Sequence, residues 1–151
     1  MQRHAVRSPH LLLIDDDSRF LSTTADLLRR DGYGVVTAAD SVCARREACR
    51  IRFDLFLCST HISEESGAQL CAELRQLPGQ EDAALMFTST TQYADVIRRV
   101  YDAGGAYFVR KPLHPEILLT LIERAIGPAL IPPVSFAAEP SSWNSGLAVA
   151  Y

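Results

Sequence analysis

The chain is poor in the features that mark specialised environments. Its four cysteines, at 43, 49, 58 and 71, form no C-x-x-C pair and have no histidine cluster beside them. That argues against a structural zinc site. Cys58 lies in an apolar run and Cys71 on an apolar helical stripe, so both read as small buried hydrophobes. No apolar run reaches the length of a membrane span. The basic stretch Met1 to Pro9 has no long apolar segment behind it. It makes a poor signal peptide, and a cytoplasmic location is expected. Positive charge is not in surplus, since the net charge is -3. A nucleic-acid partner, which would call for a basic patch, is therefore not expected, and neither is a membrane. There is no Gly-rich phosphate loop, no G-x-S-x-G nucleophile elbow and no internal repeat.

What is present is organised around His10-Leu11-Leu12-Leu13-Ile14-Asp15-Asp16-Asp17. An apolar run of this length reads as a strand buried on both faces. Its carboxyl end, where ligands bind in open α/β sheets, carries three acids in a row. Like charges so close repel unless a cation or a lysine compensates. Asp17 is well explained as a helix cap, whereas the adjacent pair Asp15 and Asp16 is less so.

A length of 151 residues and a hydrophobic content of 48% fit one globular domain. Phe20, Thr24, Leu27 and Leu28 follow helical spacing up to Asp31-Gly32. Tyr33–Ala38 reads as a second strand. Asp40 or Ser41 can cap a helix with a thin stripe of Ala44, Ala48 and Ile51. Asp54–Cys58 is a third strand, followed by a loop over 59–63 and a helix from about Glu64 to Leu77. Ala84–Thr88 is a fourth strand. A helix carrying Val96, Ile97, Val100 and Tyr101 leads to a fifth strand, Tyr107–Val109. The last helix starts near Pro115 and uses Leu118, Leu121, Ile122 and Ala125. Strands alternating with helices predict a doubly wound parallel sheet. Residues 127–151 hold four prolines, several serines and one charged residue, Glu139, and read as a tail without its own core.

Over residues 9–126 the chain resembles a response-regulator receiver domain of two-component signalling. The resemblance rests on Ile14-Asp15-Asp16 after the first strand, Thr88 ending the fourth, Ala103-Gly104-Gly105 and Phe108 around the fifth, then Lys111-Pro112. It implies a flavodoxin-like, five-stranded sheet in order 2-1-3-4-5 with five helices. It implies that 1–8 is an extension and 127–151 a flexible tail. In the family a carboxylate ending the third strand accepts a phosphoryl group from a histidine kinase. The acid pair holds Mg²⁺, and the Thr and Lys bind phosphoryl oxygens. The strand-five aromatic turns inward as the Thr moves. The resemblance also implies a cis bond between Lys111 and Pro112, which lets the lysine reach back over the acids.

The same alignment puts Ser59 at the acceptor position. Asp54 lies five residues earlier, at the other end of the strand and about 16 Å away. Ser63 replaces the family's Pro, and His61 takes the position whose backbone carbonyl reaches the metal. A serine must lose a proton to attack phosphorus, and no base stands near it. With one charge fewer, Asp15 and Asp16 should bind Mg²⁺ weakly at most. The expectation is a pseudo-receiver: no catalytic residue, no required cofactor, and output by protein contact. The partner would be a histidine kinase, another regulator or a second copy. No second domain is expected after residue 126. The expected contact face includes Leu119 and Ile126 on the last helix. The alternative is an enzymatic or small-molecule-binding α/β domain on the same fold.

Overall fold

The structure, a computed structural model, describes residues 7–90, 98, 107–127 and 148–150. Five parallel strands form the body of the sheet: β1 (His10–Ile14), β2 (Gly34–Ala38), β3 (Leu55–Ser59), β6 (Ala84–Ser89) and β7 (Tyr107–Arg110). Their order is β2-β1-β3-β6-β7, the order the sequence implied. Every residue of β3 is buried, and so are Leu11, Leu12, Leu13 and Ile14 of β1. A strand apolar on both faces gains about 1.5–3 kcal/mol for each such side chain only if both faces are covered.

Both faces are covered. Leu11 and Leu13 point to one side, into a layer with Leu21, Ala25 and Leu28 of α1 (Ser18–Arg30) and Leu118, Leu121 and Ile122 of α4 (Pro115–Ile126). Leu12 and Ile14 point to the other side, toward Ala44 and Ala48 of α2 (Ser41–Arg50) and Leu70, Cys71 and Leu74 of α3 (Gly67–Leu74). The alternation is the pleat's period of two. The expected helix with Val96, Ile97, Val100 and Tyr101 lies outside the described residues.

Local chemistry fixes the helix ends. The Asp17 carboxylate caps α1 by accepting from the backbone N–H groups of Arg19 and Phe20. At the other end Gly32 takes a φ of 97°. The Gly32 and Tyr33 N–H groups donate to the Arg29 and Leu28 carbonyls, closing the helix with a left-handed turn that favours glycine. Asp40 caps α2 through the Cys43 N–H at 2.7 Å. Pro115 occupies the first turn of α4.

Three expectations need correction. The third helix begins at Gly67, not near Glu64. The residues before it form a small antiparallel hairpin of β4 (His61–Ile62) and β5 (Glu65–Ser66), and Ser66 then caps α3 by accepting from Gln69 N–H. Burial of Ile62 and the serine cap outweigh the weak helical preference of acids in a first turn. Ile51 is not on the core stripe of α2. It is the C-cap, in extended backbone and exposed. Finally, 127–151 is not bare of structure at its end. Ala148–Ala150 forms β8, a sixth strand parallel to β7 in the register Tyr107↔Ala148, Phe108↔Val149, Val109↔Ala150. The Pro and Ser content of 127–151 hid the short apolar stretch at 147–150.

Sequence periodicity also passed over Gln80, which is 1% exposed. Its amide donates to the carbonyls of Ala48 and Ile51 at 2.7 Å each, and its oxygen accepts from Phe53 N–H at 3.1 Å. One side chain thus satisfies three backbone groups where α2 gives way to β3.

The sixth strand is directly testable. Adjacent N–H groups in a strand point to opposite sides, so the double substitution Ala148→Pro/Val149→Pro removes one N–H group that faces β7 whichever it is. Faster hydrogen exchange at Tyr107–Val109 than in the unaltered chain is the expected result. Equal exchange in both proteins would contradict the pairing.

Candidate functional site

The carboxyl ends of β1, β3, β6 and β7 converge on one rim of the sheet. Asp15 follows β1 and is 1% exposed. A carboxylate so buried needs compensation for lost water. Its Oδ2 accepts from Lys111 Nζ at 2.5 Å, and its Oδ1 accepts from Asp17 N–H at 2.9 Å. Lys111 reaches it from beyond β7, past the cis Lys111-Pro112 bond. The ammonium also lies 4.1 Å from the centre of the Phe20 ring. A carboxylate on one side and an aromatic face on the other hold the same cation.

Asp16 is turned outward and exposed. Its Oδ2 accepts from Ser63 N–H at 2.9 Å, which ties the β1 loop to the tip of the β4–β5 hairpin. Ser63 is the described non-glycine residue with a positive φ, 55°. That conformation turns its N–H toward the acid.

Ser59 ends β3 directly opposite Thr88 of β6. Its hydroxyl donates to the His61 carbonyl at 3.0 Å. The nearby imidazole is engaged elsewhere, since His61 Nδ1 lies 3.3 Å from Thr60 Oγ1. The Ser59 carbonyl is packed against the start of α3. A β-carbon at Gly67 would come within 1.8 Å of that oxygen, so only glycine fits. Beneath Ser59, burial pushes the Cys58 thiol well above its usual pKa, with Cys71 and Asp15 adding to the effect. Cys58 is a neutral thiol at physiological pH, which agrees with its reading as a small hydrophobe.

Thr88 is fully buried, and its Oγ1 has no hydrogen-bond partner among the described residues. Its carbonyl accepts from Thr60 N–H at 2.9 Å, and the Ser89 carbonyl accepts from Lys111 N–H at 2.8 Å. Phe108, one strand over, is buried in the layer shared with α2 and α3.

Asp15, Asp16, Ser59, Thr88 and Lys111 are therefore brought together, with Pro112 at the rim and Phe108 behind. Leu119 and Ile126 are not part of this site. Both are half-buried against the layer under α1 and α4. Asp54 lies at the opposite end of the sheet, where it accepts from His10 N–H at 2.8 Å and pairs with Arg7. Sequence reasoning missed Phe20, Gly67 and the Ser63 N–H as site-shaping groups. Only Gly67 carried a signal, as a glycine just inside a serine-capped helix.

Asp15 and Asp16 supply hard oxygens of the kind Mg²⁺ takes. The third strand contributes a neutral hydroxyl already donated to a carbonyl. Among the described residues no group of three or more His, Cys, Asp and Glu is arranged for a metal. The donor set fits a magnesium ion poorly.

Because Asp15 is buried, Lys111 matters more to it than a surface partner would. Lys111→Met should destabilise the chain by about 3 kcal/mol, since removing one member strands the other charge. Asp15→Asn in the same chain should recover most of that loss. Urea unfolding of the two single variants and the double variant is the check. Strictly additive losses would contradict the coupling.

A pattern of receiver sequences matches most of the chain: the response regulator receiver domain family aligns with residues 11–123. The chain is 34% identical over 125 residues to the sensor histidine kinase AruS of Pseudomonas aeruginosa, covering 82% of this chain and 12% of that protein. It is 30% identical to Protein PetR of Rhodobacter capsulatus, covering 76% of this chain and 47% of PetR. The chain thus spans less than half the length of these curated relatives. In structure it superposes on the chemotaxis protein CheY4 of Vibrio cholerae with a TM-score of 0.75 at 23% identity, over 79% of this chain and 99% of CheY4. A Burkholderia pseudomallei response regulator, solved with a phosphorylated aspartic acid and a calcium ion, gives a TM-score of 0.70 at 26% identity, over 79% of this chain and 66% of that one. With the sequence family, the strand order and the Asp15–Lys111 pocket in agreement, the chain belongs to the response regulator receiver domain family.

Proposed function

We propose that this receiver domain signals in the cytoplasm by protein contact, without accepting a phosphoryl group. The observation that carries the proposal is the Ser59 hydroxyl. It ends β3 opposite Thr88, the position the resemblance to the family gives to the acceptor, and it donates to the His61 carbonyl at 3.0 Å. The Burkholderia relative holds its modification on an aspartic acid. An aspartate attacks phosphorus with no proton to lose, whereas a serine needs a base. None of the candidates bonds the Ser59 hydroxyl: Asp15 pairs with Lys111, Asp16 accepts from Ser63 N–H, and His61 Nδ1 lies against Thr60 Oγ1.

The pocket is then a structural clamp. Lys111 neutralises Asp15 permanently, and Mg²⁺ binds weakly at most. Residues 9–126 form the signalling unit, flanked by an extension over 1–8 and the segment 127–151. The partner is a protein of the signalling pathway, a histidine kinase or another regulator, with no nucleic acid and no membrane involved. No described helix is long and apolar enough to cross a membrane.

Incubation with acetyl phosphate and Mg²⁺ should leave the intact mass unchanged. Ser59→Asp in the same chain should gain an acid-labile adduct of one phosphoryl group, because Thr88 and Lys111 are already in place for its oxygens. A phosphoryl adduct mapped to residues 59–61 of the unaltered chain would contradict the proposal.

A further inference from the structure

The outer face of α2 combines two features that rarely coincide on a solvated helix. Along α2 the buried positions are Ser41, Ala44 and Ala48, and the exposed ones are Val42, Arg46, Cys49 and Arg50. The exposed set has spacing i, i+4, i+7, i+8, which is one continuous helical stripe. Val42 is 69% exposed, and Ile51, at the end of the same helix, is 39% exposed. They are the large hydrophobic side chains left exposed among the described residues.

The charge on this stripe is poorly balanced. Residues 41–52 carry four arginines against one acid, Glu47, in a chain whose net charge is -3. Arg45 is satisfied by Glu73 at 3.0 Å and Glu65 at 3.8 Å. Arg46 and Arg50 share Glu47, each at 3.6 Å, and their side chains remain 64% and 69% exposed. Arg52 is exposed and has no ion pair among the described residues. Two exposed guanidinium groups that share one carboxylate, on a helical stripe with an exposed valine, favour an anionic ligand that also has apolar parts.

We propose that this face of α2 is a docking surface for an acidic protein segment, its carboxylates on Arg46 and Arg50 and its apolar side chains on Val42. The proposal rests on the reading that output passes through protein contact, and it names where. A phosphate backbone would make no use of Val42. The acidic chain as a whole also repels a long polyanion, while a short acidic segment meets only the local field.

The test uses the full chain, labelled with ¹⁵N, and a fluorescent amphipathic peptide built from glutamate and leucine. Its lysine-and-leucine counterpart and a short duplex DNA are the controls. The glutamate peptide should bind at low salt, shift amides within residues 41–52, and weaken as salt rises. Arg46→Glu/Arg50→Glu should lower its affinity at least about tenfold, corresponding to about 1.4 kcal/mol, and Val42→Ser should lower it several-fold. Both variants alter exposed side chains, so the unperturbed spectrum also reports an intact fold. Absence of binding, shifts mapping elsewhere, indifference to the charge reversal, or tighter binding of the DNA would each overturn the proposal. Acetyl phosphate labelling is a separate readout, so a chain that labels yet binds through α2 refutes only the phosphorylation-independent reading.

Discussion

Asp15 has nowhere to place its charge except on Lys111. It is buried at the end of the central strand, and the lysine that neutralises it comes from 96 residues away in sequence. Bringing the two together requires the parallel order of β1, β3, β6 and β7, since only that order sets their carboxyl ends side by side. The ion pair and the sheet therefore constrain one another. The pair closes the rim, and the sheet's two apolar layers supply the burial that makes the pair necessary. The Phe20 ring beside Lys111 extends the constraint to α1.

The neighbouring groups are satisfied in the same inward-looking way. Asp16 is tied to the hairpin through Ser63, and Ser59 to the His61 carbonyl. Thr88 is the exception, a buried hydroxyl without a partner among the described residues. At the end of β3 the side chain is a hydroxyl, not a carboxylate, and it is already donated to a carbonyl. This supports contact, rather than covalent modification, as the proposed mode of signalling. Among the described residues the most exposed large hydrophobic, Val42, lies on α2, across the sheet from α1 and α4.

Much of this was legible in the sequence because it depends on short-range pattern. The apolar runs gave the buried strands, and Asp17, Asp40 and Pro115 marked helix starts. The resemblance to receiver domains then pointed to Asp15, Thr88 and Lys111 as a pocket. Other features depend on contacts distant in sequence and left little local trace. Glu64 and Glu65 looked like a helical first turn, but a buried Ile62 and the Ser66 cap turned them into a hairpin. Leu119 and Ile126 are partly buried against the layer under α1. Gln80 reads as an ordinary polar residue until the three backbone groups around it are seen. The strand at 148–150 was masked by the prolines and serines before it.

The central claim is that the pocket does not respond to a phosphoryl group. Its most direct test is the amide spectrum of the full chain with and without Mg²⁺ and beryllofluoride, which mimics a bound phosphoryl group without needing a phosphodonor. The account predicts that the Thr88, Phe108 and Lys111 amides stay where they are. Saturable shifts at those three residues would contradict it.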